Sequence, residues 1–160
     1  MNPDVTALCA QLAGRLQARG WMLATAESCT GGLIAAACTD LSGSSNWFER
    51  GFVTYSNEAK TEMLGVDPAL IAQHGAVSEV VARAMAFGAV RNSRAVVSVA
   101  VTGVAGPTGG TPQKPVGMVW FGFQVDGRLT SETRHFDGDR AAVRAGTVVH
   151  ALRRLLERVA

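Results

Sequence analysis

The sequence predicts an α/β protein, a three-layer α/β/α sandwich built on a mixed β-sheet, and three observations carry that expectation. Helix-like and strand-like patterns alternate through the first hundred residues, which is the signature of a sheet flanked by helices. The continuous Val/Ala run from Arg94 to Val101 reads as a strand covered on both faces. Two late β-favouring stretches joined by Asp126-Gly127 read as an antiparallel hairpin, so the sheet must be mixed.

Each element has a local reason. Pro3 to Arg19 carries Val5, Leu8, Leu12 and Leu16 at helical spacing, with Asn2 as N-cap before Pro3 and Gly20 as terminator. Trp21 to Ala26 reads as a short strand, and Leu33 to Thr39 as a small-residue helix able to pack closely on a sheet. Leu41 to Asn46 is a Ser/Gly loop, and Phe48 to Tyr55 is β-favouring. Ser56 or Asn57 caps a short helix that carries Lys60, Met63 and Leu64, and Pro68 opens another that ends near His74-Gly75. Ser78 caps a longer helix with Val80, Val81, Ala84 and Met85. The strands Val116 to Val125 and Leu129 to Phe136 follow, and Asp137 or Asp139 caps a last helix with an apolar stripe of Val143, Val148, Ala151, Leu152, Leu155 and Leu156. No internal repeat or linker divides the chain, and its 160 residues read as one domain spanning 1–160.

Composition narrows the function classes. A net charge of +2 with only 18% charged residues lacks the basic footprint of a nucleic-acid binder. Cys9, Cys29 and Cys38 form no C-x-x-C pair, and their odd number argues against a disulfide framework. The N-terminus carries Asp4 and no signal-peptide core, and no run approaches the roughly 18 apolar residues of a membrane span. A cytoplasmic protein with no membrane partner is expected. No metal motif and no cofactor fingerprint is present: H-E-x-x-H, G-x-G-x-x-G and G-K-[ST] are all missing.

In open α/β sheets ligands bind at the carboxyl ends of the strands. That rule gathers Ala26 to Gly32, Tyr55 to Lys60, and Thr102 to Gly110 into one site. Ser28 stands where a strand hands over to a helix N-terminus, so its hydroxyl is a nucleophile candidate, with the amides of Gly31 and Gly32 available to an oxyanion. Helix capping by Ser28 or Thr30 is the bland alternative. Cys29 is the rival nucleophile if a basic partner lowers its pKa. His74, His135 and His150 all fall outside the three loops, which leaves Lys60 as base, provided burial depresses its pKa. Tyr55, the single tyrosine, stands five positions earlier and can relay a proton or orient the lysine. The Gly/Pro-rich loop after Thr102 can present N–H groups to an anion, and Arg140 and Arg144 can clamp one from the last helix.

The segments AESCTGG (Ala26–Gly32), YSNEAK (Tyr55–Lys60), GAVSE (Gly75–Glu79), TGVAGP (Thr102–Pro107) with the following GG and KPVG, and the late Phe136-x-Gly138-Asp139-Arg140 together resemble the CinA C-terminal domain family. They run in the family's order from Ala26 to Arg144, and the chain is similar to its stand-alone members, the nicotinamide-nucleotide amidases. The resemblance implies hydrolysis of nicotinamide mononucleotide to nicotinic acid mononucleotide and ammonia. It implies Ser28 as nucleophile, Lys60 as base and Tyr55 as assistant. Thr30, Gly31, Gly32, Thr102, Gly103, Gly106 and Arg140 would line the substrate site. Val104 stands where isoleucine is common in the family. A small-molecule nucleotide substrate, no cofactor and a homo-oligomer are expected; a non-catalytic nucleotide-binding module and a Cys29-dependent amidase are the alternatives.

Overall fold

The computed structural model describes residues 2–160. Its elements are α1 (Pro3–Arg19), β1 (Leu23–Glu27), α2 (Leu33–Thr39), a 3-10 turn (Ser44–Asn46), β2 (Phe48–Val53), α3 (Asn57–Leu64), α4 (Pro68–His74), α5 (Glu79–Arg91), β3 (Val97–Gly103), β4 (Met118–Val125), β5 (Arg128–His135) and α6 (Arg140–Val159). The five strands form one sheet in the order β2-β1-β3-β4-β5. β1 is parallel to both β2 and β3, whereas β3–β4 and β4–β5 are antiparallel. The sheet is therefore mixed, and helices cover both of its faces, as expected.

Alternation along the strands sorts the core into two layers. Leu23, Val97, Val99, Val101, Val119, Phe121 and Phe123 meet the apolar stripes of α1, α2 and α6 on one face. Ala24, Ala26, Ala100 and Phe52 meet α3, α4 and α5 on the other. Small side chains on this second face let α5 approach the sheet closely. A Cβ added at Gly88 of α5 would sit 2.0 Å from the Leu64 carbonyl oxygen at the end of α3. Backbone cannot yield as a flexible side chain would, so Gly88→Ala is expected to cost about 3 kcal/mol, a fall in Tm of roughly 6–12 °C for a domain of this size. Differential scanning calorimetry of the variant measures it directly.

The capping expectations resolve cleanly. Asn2, Ser56, Ser78 and Asp139 each accept the amide two or three residues on. Asp126 and Gly127 both take positive φ (48° and 86°), the type I′ geometry that fits a two-residue hairpin. Strand limits shift by a few residues. The first strand runs Leu23–Glu27 rather than Trp21 to Ala26, and the third Val97–Gly103 rather than Arg94 to Val101, because the ladder is set by cross-strand pairing and not by composition. Tyr55 lies two residues beyond the end of β2. All three cysteines are free and buried, and among the described residues no helix is long and apolar enough to cross a membrane.

Candidate active site

β1, β2 and β3 run parallel and end on one edge, so the segments after them converge: Ser28 after β1, Thr54–Lys60 after β2, and Val104 onward after β3. A cavity of about 340 Å³ opens there, lined by Ser28, Cys29, Tyr55, Asn57, Lys60, Ala76, Val77, Thr102–Gly106, Thr108, Gly109 and Arg140. A cleft of about 420 Å³ between α3 and α4 has neither serine nor lysine in its lining. The smaller cavity is the one that holds reactive groups.

At its floor Lys60 Nζ lies 3.0 Å from Ser28 Oγ, a contact made across 32 positions of sequence. The side chain of Lys60 is 1% exposed. Its amine donates to the carbonyl of Thr54 at 2.9 Å and to that of Tyr55 at 3.5 Å, and it has no carboxylate partner among the described residues. Burial without a counter-charge disfavours the ammonium, and the pKa of Lys60 is lowered from its ordinary 10.5, with the neighbouring Cys29 thiol opposing weakly. The same burial pushes the Cys29 thiol up to about 11. At neutral pH that thiol stays protonated, which is the opposite of the activation a cysteine nucleophile needs.

Neither Ser28 nor Thr30 caps α2. The N-cap position is Gly32, which contributes no side chain. The cap comes instead from Glu27, the last residue of β1, whose carboxylate accepts the amides of Ile34 (2.9 Å) and Ala35 (3.0 Å) and the hydroxyl of Thr30 (2.5 Å). The positive end of the helix is thus occupied by the protein's own carboxylate, and the expectation of a free anion site there is corrected. Thr30 is fully buried with its hydroxyl turned to Glu27, and Gly31 donates its amide to the Ser28 carbonyl at 3.0 Å. Thr30, Gly31 and Gly32 shape the turn from behind and do not line the cavity. Gly31 and Gly32 take φ of 58° and 108°, a double left-handed bend that only glycine adopts readily.

The remaining expected residues do reach the cavity, in altered roles. Thr102 lines it, but its hydroxyl donates to the Ala76 carbonyl at 2.9 Å. Gly103 and Gly106 lie along the wall. The phenol of Tyr55 is exposed at the mouth and bonds to Arg140 at 3.1 Å, so Tyr55 meets Lys60 through its carbonyl and not through its ring. Arg140 also donates to the Gly106 carbonyl at 2.9 Å. Arg144 does not line the cavity and instead holds the carbonyls of Cys29 (3.1 Å) and Thr30 (3.2 Å). Of the histidines, His150 is bound to Glu132 in the core near β5 and none lines the cavity. Among the described residues no three or more His, Cys, Asp or Glu side chains converge on a metal position. Asn57, a cap candidate in the sequence, and Thr108 line the site from within the loops that the strand-end rule gathers, whereas Ala76 and Val77 line it from the GAVSE segment, which is their only sequence signal.

Residues 5–159 match the model of the CinA C-terminal domain. The chain is 53% identical over 150 residues to the nicotinamide-nucleotide amidohydrolase PncC of Enterobacter agglomerans, covering 93% of this chain and 92% of the relative. It is 50% identical over 155 residues to PncC of Escherichia coli K12, covering 96% and 94%. Among solved structures, a competence/damage inducible protein from Agrobacterium tumefaciens superposes with a TM-score of 0.94 at 44% identity, covering 98% of this chain and 96% of that one.

Proposed function

The chain belongs to the CinA C-terminal domain family, and from that premise we propose that it is a nicotinamide-nucleotide amidohydrolase in which Ser28 is the nucleophile and Lys60 its general base. The contact that carries the proposal is the 3.0 Å approach of the buried lysine amine to the serine hydroxyl. A neutral amine has two N–H bonds and one lone pair. The carbonyls of Thr54 and Tyr55 take the two N–H bonds, which leaves the lone pair for the Ser28 proton.

The steps follow from that arrangement. Lys60 removes the hydroxyl proton as Ser28 Oγ attacks the carboxamide carbon of nicotinamide mononucleotide. The pyridinium ring withdraws electrons and eases the attack. Backbone N–H groups of the surrounding loops stabilise the tetrahedral oxyanion. The ammonium of Lys60 returns its proton to the departing nitrogen, releasing ammonia and a nicotinoyl ester on Ser28. Water, deprotonated by the same amine, then hydrolyses the ester to nicotinic acid mononucleotide. Arg140, held at the mouth by Tyr55 and Gly106, is the cation placed to meet the substrate phosphate.

The test is release of ammonia and nicotinic acid mononucleotide from nicotinamide mononucleotide by the purified protein. Cys29→Ala is expected to stay within about threefold of the parent, because a protonated thiol contributes no step. A Cys29→Ala protein that loses turnover points to the thiol as nucleophile, and tight binding of the nucleotide without turnover points to a binding module.

A further inference from the structure

We propose that Glu27 is a positioning residue for the nucleophile: its buried carboxylate ties the start of α2 and the Thr30 hydroxyl back to the end of β1, holding the turn that presents Ser28 to Lys60. The proposal rests on the reading of Ser28 as nucleophile.

Glu27 is 1% exposed, and a carboxylate withdrawn from water persists only where donors replace the water. Its three donors all belong to the segment that follows Ser28. The Ile34 and Ala35 amides are reached seven and eight positions ahead, so the chain between must double back on itself. The Thr30 hydroxyl pins the middle of that loop. The two left-handed glycines and the bond from the Gly31 amide to the Ser28 carbonyl complete the reversal. From the far side Arg144 holds the Cys29 and Thr30 carbonyls.

The main chain of the same residue registers the base. The Thr54 amide donates to the Glu27 carbonyl at 2.8 Å, and the Thr54 carbonyl is the nearest acceptor of the Lys60 amine, at 2.9 Å. One residue therefore connects both partners of the dyad: its backbone carbonyl fixes the segment that anchors Lys60, and its side chain fixes the turn that aims Ser28. Glutamine is the informative replacement. It keeps the volume but sets an NH₂ group against either the Ile34 or the Ala35 N–H, so one donor always faces another donor.

The experiment compares the parent, Glu27→Gln, Thr30→Val and Thr30→Ser in two assays. One is steady-state hydrolysis of nicotinamide mononucleotide. The other is the rate at which an aryl fluorophosphonate labels Ser28, which needs no natural substrate. A displacement of the hydroxyl by an ångström costs on the order of 100-fold in rate, so Glu27→Gln is expected to lose about that factor in kcat and in labelling rate, with KM within about threefold. Thr30→Val should follow in the same direction and Thr30→Ser, which restores the hydroxyl, should recover. These two variants carry the test if Glu27→Gln does not fold. A Glu27→Gln protein with kcat and labelling near parental values overturns the proposal, as does a loss matched only by the fraction unfolded. If the parent is labelled at Ser28 but does not turn over the nucleotide, the amidase reading fails and the labelling rates alone decide the role of Glu27. A parent that is neither labelled nor active overturns both.

Discussion

Ser28→Ala is expected to lower kcat for nicotinamide mononucleotide hydrolysis by at least about four orders of magnitude, the scale on which a serine hydrolase loses turnover without its nucleophile. The structural cost of the change is small. The Ser28 hydroxyl caps no helix, and its side-chain contact is the one it shares with Lys60, so the variant should fold and still bind the nucleotide. In the proposed mechanism serine and lysine act on one proton, which makes their losses overlap rather than add. The double variant Ser28→Ala/Lys60→Met should therefore be no slower than the slower single variant, within about threefold. Steady-state rates of nicotinic acid mononucleotide formation by the four proteins complete the cycle. Losses that multiply would mean that the two side chains serve separate steps.

Lys60→Arg carries the second large effect. A guanidinium keeps its proton throughout the accessible pH range and cannot act as base, so the variant should fall by about a thousandfold or more even though it retains a cation at the site. The parent's pH dependence has a sign set by burial. Desolvation lowers the Lys60 pKa below 10.5, the neutral amine is the active form in the proposed mechanism, and its fraction grows as pH rises. The value of kcat/KM should climb about tenfold per pH unit on the acid side and level off before pH 10.5. In the arginine variant that limb should be missing. A parental profile that still rises above pH 10.5 would show an amine of ordinary basicity and would remove the argument for its activation.

Much of this site was legible before any coordinates. The meeting of Ser28 and Lys60 follows from two rules applied in sequence: alternating patterns imply parallel neighbours, and parallel neighbours deliver their following loops to one edge. The hairpin at Asp126-Gly127 and the caps at Asn2 and Asp139 were local, and local chemistry decides them. What stayed hidden depends on distance in sequence or on side-chain direction. The bond between Tyr55 and Arg140 spans 85 positions, and nothing near Tyr55 announces that its ring turns to the mouth while its carbonyl turns to the lysine. Thr30 reads as a cap from its place at the strand-to-helix turn, and the family resemblance makes it a substrate contact. The doubled left-handed bend turned it inward instead. Glu27 announces no task in the sequence beyond its place in the AESCTGG segment, since a carboxylate at a strand end gains its meaning only when the chain returns to it.

The last helix supplies Arg140 at the cavity mouth and Arg144 behind the nucleophile turn, while its apolar stripe seals the layer that α1 and α2 begin. Ser28 and Lys60 lie upstream of both arginines, so a nascent chain holds the pair before it holds the braces. It cannot brace the turn until residues 140–159 have left the exit tunnel. A product truncated before Arg140 would carry Ser28 and Lys60 without those braces, and on the proposed mechanism it is expected to be catalytically silent.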